Sequence, residues 1–169
     1  MTTPCAPTVA ANAPLVEVMV THLIDVTRDI FSTMIGRDVE FADPSYRGPQ
    51  PTANVVSTVG FAGSLSGHVS LCLSQQAAME IAQALLGCEP EEASEQFRDA
   101  AGEMANMIAG SLRTVMLERG ETLGISTPIV TVGTDFSISS LRSVSQAVCP
   151  FTMGPQHLFV HLVLQGNAK

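Results

Sequence analysis

The stretch from Ser94 to Gly120 constrains this chain more than any other. At about 100° per residue, Ala101, Met104, Ala105, Ile108, Leu112 and Val115 share one side. That apolar stripe predicts a long helix laid along a hydrophobic core, opened by Ser94 and closed at Gly120. Asp99, Glu103, Asn106, Gly110 and Arg113 fall on the opposite side. A carboxylate and a carboxamide one turn apart therefore project together from a solvent-facing stripe. At Gly110, one turn further on, a missing side chain lets another molecule approach. Asn and Gly are poor helix formers, Gly by roughly 1 kcal/mol relative to Ala. A face with no task would carry Glu, Lys or Gln, so the departure from local preference marks a working surface. The plainer account is a solvated face on which Asp99 complements the helix dipole near its N-terminal end.

The rest of the chain reads as one domain. Its 169 residues are 46% hydrophobic and 14% charged, enough apolar content for an ample core. Residues 1–12, rich in Ala, Pro and Thr, are expected to form a flexible arm, and residues 13–169 the domain. Leu15, Val18, Met19, His22, Leu23, Val26, Ile30 and Met34 recur at helical spacing, with Pro14 in the first turn and Gly36 past the end. A short strand is expected at Asp38–Ala42, then a loop through Pro44, Gly48, Pro49 and Pro51. Asn54–Phe61 and His68–Leu73 read as a hairpin joined by residues 62–67. Ser74 caps a helix that Gly87 stops, and an acidic loop over Glu89–Glu92 precedes the long helix. Ile125–Val132 reads as a strand in which Pro128 marks an edge, a start or a bulge. Ser143–Phe151 and Gln156–Leu164 form a second hairpin around Gly154-Pro155. The order is not strictly βαβ, so the fold class expected is mixed α/β or α+β, with long helices covering one mixed or antiparallel sheet.

Composition excludes several function classes. The net charge is −8, the single Lys is Lys169, and the seven Arg form no cluster. There is no Trp and one Tyr, so a nucleic-acid binder with its basic stripe and stacking aromatics is not expected. No segment approaches the ~20 continuous apolar residues of a membrane span, and no signal-peptide pattern opens the chain. Cys5, Cys72, Cys88 and Cys149 are widely spaced and read as reduced cytosolic thiols. The low charge density leaves uncharged surface that a partner subunit would cover.

The stripe's chemistry is defined by what accompanies it. No His, no Lys and no Ser or Cys nucleophile with a base adjoins Glu103 and Asn106. Such a surface does not run acyl transfer or metal hydrolysis alone. A carboxamide does one catalytic thing well, which is to hold a water by accepting from it and donating to it. That suffices when the electrophile is activated elsewhere, as in an aspartyl phosphate bound with Mg²⁺ on another protein.

Asp99-x-x-x-Glu103-x-x-Asn106, within Gly-Glu-Met-Ala-Asn-Met-Ile-Ala-Gly, resembles the signature of the CheX/CheC-type chemotaxis phosphatases. The stretches Val59–Gly67 and Ile125–Val130 resemble the same family, and the likeness runs from about residue 14 to 165. The resemblance implies a CheC-like fold and dephosphorylation of a phosphorylated CheY-like receiver domain in the cytoplasm. It implies that Asn106 orients the hydrolytic water and that Glu103 pairs with the receiver's active-site Lys. Asp99 would flank them. No cofactor of its own is expected, since the Mg²⁺ belongs to the receiver. One copy of the motif fits the CheX branch, whose members are homodimers. The alternative is a non-catalytic CheX-like module that binds a receiver domain or a motor component; a ligand-binding sensor with a pocket between sheet and first helix is a third reading.

Other candidates resolve into structure. His157 and His161 lie in an alternating, strand-like stretch, about 13 Å apart at 3.3 Å per residue, so one ion cannot bridge them. They are expected at the surface or an interface. Gly63-Ser64-Leu65-Ser66-Gly67 has the form of a nucleophile elbow, but no helix follows it, so a hairpin turn is expected. Met104, Met107 and Met116 read as core filler or an adaptable contact edge.

Overall fold

The computed structural model describes residues 13–42, 52–87, 89–137 and 144–165. The expected N-terminal arm and the loop through Pro44 to Pro51 lie outside these residues, as do Cys5 and Cys88. Helix α1 (Ala13–Ile30) runs on into a wider π-helical turn over Phe31–Ile35. Strands β1 (Glu40–Phe41), β2 (Thr52–Gly63) and β3 (Ser66–Leu73) follow, then helices α2 (Gln75–Leu86) and α3 (Pro90–Glu118). Strands β4 (Leu123–Ile125), β5 (Ile129–Ser137), β6 (Val144–Met153) and β7 (Gln156–Gln165) complete the described chain.

The seven strands form one sheet in the order β1-β6-β7-β3-β2-β4, with β5 also paired to β2. Every pairing is antiparallel. Strand β2 is long enough to serve two partners along its outer edge, β5 over Thr52–Thr58 and β4 over Phe61–Gly63. The expected single strand Ile125–Val132 is therefore two. The break falls at Ser126-Thr127-Pro128, where Pro128 has no N–H for a ladder. Ser126 clamps the break: its N–H donates to the Gly60 carbonyl at 2.8 Å, and its Oγ accepts from the Gly60 N–H at 3.0 Å.

The helices cover one face of the sheet. Val55, Val59, Leu71, Leu73, Leu158, Val160 and Leu162 point from the strands into the core beneath them. Met104, Ile108, Leu112 and Met116 enter it from α3 and are fully buried. Each such side chain contributes about 1.5–3 kcal/mol by leaving water, so a charge at Ile108 would detach the helix that carries the stripe.

Local signals place the helix ends. The Ser74 hydroxyl accepts from the Ala77 N–H at 3.1 Å, and Gly87 takes φ 62° where a side chain would be strained. Helix α3 begins at Pro90, not at Ser94. Pro at the first helical position forfeits only an N–H that has no helical partner, and Glu91 and Glu92 suit the positive end of the dipole. The expected acidic loop is thus the helix's first turn. Ser94 lies inside the helix, its hydroxyl donating back to the Glu91 carbonyl at 2.6 Å.

His161 corrects a second expectation. His157 is exposed, but His161 is only 3% exposed. Its Nε2 lies 3.2 Å from Gln146 Oε1, and its ring meets His68 edge-on at 6.3 Å. Burial, with His68 beside it, pushes its pKa down to about 4. Cys72 and Cys149 are buried free thiols whose pKa burial raises to about 12, so neither is a nucleophile.

Candidate functional site

The outward stripe of α3 is the candidate site. Ala101, Met104, Ala105, Ile108 and Leu112 are buried as the periodicity requires, and Val115 is half-buried. That packing fixes the rotation of the helix, and the rotation fixes what faces out. Asp99 and Glu103 are exposed, and Asn106 and Gly110 are half-buried. All four lie within one narrow strip along successive turns. Among the described residues, Asp99, Glu103 and Asn106 make no side-chain hydrogen bond or ion pair. A carboxamide with both its acceptor and its donors unused is available to a water or a partner. A Cβ built on Gly110 meets nothing within 4 Å. The surface over that turn is open.

Both flanks of the stripe are anchored. On one side, a Cβ on buried Gly102 would stand 3.6 Å from Val130 Cγ2 and 3.9 Å from Pro128 Cβ, so the start of β5 lies against the helix beside Glu103. Further along the same side, Arg113 Nε donates to the Leu123 carbonyl at 3.1 Å, joining α3 to β4. On the other side, Ser111 Oγ and His22 Nε2 share a hydrogen bond of 2.9 Å, which ties α3 to α1. The stripe thus rides on a helix held from below and from both sides, the rigidity a positioning site needs. These flanking contacts were not legible beforehand; the residues are ordinary singly, and only the packing of β4, β5 and α1 brings them to the stripe.

No group of three or more His, Cys, Asp or Glu able to hold a metal occurs among the described residues. Among the described residues, no helix is long and apolar enough to cross a membrane. Of the methionines singled out, Met104 and Met116 fill core, and Met107 is half-buried beside the stripe.

The family model described as "Chemotaxis phosphatase CheX" matches residues 55–152, more than half of the chain, from β2 through α3 into β6. A protein of Thermotoga maritima named "CheY-P phosphatase CheX" is 28% identical over 111 residues, which is 62% of this chain and 72% of that protein. The crystal structure of a chemotaxis protein CheX from Desulfovibrio desulfuricans superposes with a TM-score of 0.78 at 26% identity, covering 88% of this chain and 99% of that one. The crystal structure of the CheX-CheY-BeF3-Mg+2 complex from Borrelia burgdorferi gives a TM-score of 0.74 at 22% identity, over 88% of this chain and 98% of that one, a likeness of fold. These matches join an outward-facing Asp99/Glu103/Asn106 strip to a three-helix layer on an antiparallel sheet, and on them the chain belongs to the CheX family of chemotaxis phosphatases.

Proposed function

We propose that this protein accelerates hydrolysis of the aspartyl phosphate of a CheY-type receiver domain. The observation that carries the reading is the unengaged strip of Glu103, Asn106 and Gly110 on a helix fixed from three sides. In a docked complex Asn106 enters the receiver's active site. Its carboxamide oxygen accepts from a water and its N–H₂ steadies the same water or a phosphoryl oxygen, so that the water attacks in line with the scissile P–O bond. Glu103 pairs with a Lys of the receiver, Asp99 flanks that pair, and open Gly110 admits the receiver backbone. Mg²⁺ is supplied by the receiver, where it neutralises charge on the transferring group. This division of labour suits a surface with no group of three or more His, Cys, Asp or Glu able to hold a metal among its described residues. It is supported by the name of the Thermotoga relative, and by the Borrelia complex, in which a CheX is paired with CheY, BeF3 and Mg²⁺. The protein acts as a cytoplasmic homodimer in this reading.

A phosphate-release assay on a phosphorylated receiver tests it. Misplacing a reacting water costs about 10²-fold, so Asn106→Ala is expected to return hydrolysis to the receiver's own rate while binding changes less than about threefold. Glu103→Ala is expected to weaken association more than it slows the chemical step. Hydrolysis by Asn106→Ala at the wild-type rate refutes the role of the carboxamide. A wild-type protein that binds the receiver and leaves its phosphoryl lifetime unchanged is a docking module instead.

A further inference from the structure

Resting on that reading, we propose that Arg113 sets the direction in which a receiver lies along α3 and selects receivers carrying a carboxylate at the matching place. Arg113 shares the stripe with Gly110 and Asn106, seven residues beyond the latter, so about 10 Å along the helix axis at 1.5 Å per residue. It is exposed, yet not loose. Its Nε is committed to the Leu123 carbonyl at 3.1 Å, which leaves the terminal N–H groups of the guanidinium for another molecule. No carboxylate among the described residues pairs with it. The other cation of α3, Arg98, lies over the Phe97 ring at 5.0 Å.

The stripe therefore has a charge order. Exposed Glu92, Glu95, Asp99 and Glu103 occupy its first half, uncharged Asn106 and Gly110 its middle, and Arg113 its end. A partner laid on it in one direction meets acids with its basic groups and Arg113 with a carboxylate. Laid in the reverse direction it meets like charge at both ends, which disfavours that register. Asn106 acts at one point only, so the affinity that Arg113 adds to the productive direction raises the share of receivers held where the carboxamide can act. The tether spares Arg113 most of the rotamer freedom that an untethered Arg forfeits on pairing. With its Nε tethered to Leu123, two turns of helix beyond Asn106, its part is specificity.

The test uses full-length protein and a panel of CheY-type receivers phosphorylated by acetyl phosphate, taking the receiver cleared fastest. Arg113→Gln is expected to raise KM about tenfold and Arg113→Glu by more, with kcat within about twofold of wild type. Loss of the Leu123 tether alone lowers thermal stability equally in Arg113→Gln and Arg113→Glu and is blind to charge on the receiver. The deciding measurement is therefore rescue: one Asp→Lys or Glu→Lys exchange on the receiver surface should recover most of the KM lost in Arg113→Glu and worsen wild type. A KM for Arg113→Glu equal to wild type overturns the proposal, as does failure of every receiver carboxylate exchange to rescue it. Asn106→Ala, run in parallel, separates the two readings. If it is inactive while Arg113→Glu behaves as wild type, the selectivity falls and the phosphatase stands. If wild type clears no receiver in the panel, both fall.

Discussion

Gly110→Ala separates stability from docking in one substitution. Gly110 is helical, in the last third of α3, and a Cβ there meets nothing within 4 Å. No packing term opposes the methyl, so helix propensity alone decides the fold's response, a gain of roughly 1 kcal/mol. Part of that gain is lost freedom in the unfolded chain. For a chain of this length, about 1 kcal/mol corresponds to about 2–4 °C in Tm. Function should move the other way. If the receiver closes over Gly110, the methyl occupies space the complex needs, and overpacking costs about 1–3 kcal/mol. That is roughly a 5- to 150-fold rise in KM at about 1.4 kcal/mol per decade, with kcat little changed because Asn106 is untouched. Thermal denaturation of the free protein and receiver dephosphorylation across a concentration series measure the two effects. A lower Tm would show that the turn over Gly110 is not open. A higher Tm with an unchanged KM would place the docking surface elsewhere and undo the case for this stripe.

Two further predictions concern the sheet. His161, held near pKa 4 in the fold against about 6.5 when unfolded, is neutral in the native state. Stability is therefore complete above about pH 6.5 and falls as the unfolded chain takes up a proton between about 6.5 and 4, by roughly 3 kcal/mol in all; urea midpoints should track this, and His161→Gln should flatten the dependence. Ser57 is fully buried with its Oγ unpartnered. Removing an orphaned hydroxyl relieves about 1 kcal/mol of desolvation, so Ser57→Ala should raise the denaturation midpoint, and a drop would mean that the hydroxyl has a partner.

The motif helix was legible because its signal is repeated. Six apolar positions at one spacing outvote the breakers Gly102, Asn106 and Gly110, and the buried side came out as the spacing demanded. The caps at Ser74 and Gly87 were legible for a different reason, being local chemistry that acts within one turn. Pro90 misled because a proline both ends and begins structure. Preceding Glu91-Glu92 it begins a helix, and Ser94 offered a competing start. Pro128 was rightly suspected of interrupting a strand, but one sequence cannot say that β2 reaches past the break and pairs with both pieces. His161 was misplaced because alternation tells which face a residue takes and not how deeply that face is covered.

From its residue order alone this chain yields a helix with Glu103 and Asn106 one turn apart and pointing away from its apolar side. Periodicity and side-chain direction depend only on neighbours within a few residues. Whether that outward side is accessible, which residues buttress it, and that Arg113 is held by Leu123 while Asn106 is left unengaged came only from the tertiary structure. Those depend on how separate elements pack against one another, and no local preference encodes which element comes to rest beside a given turn.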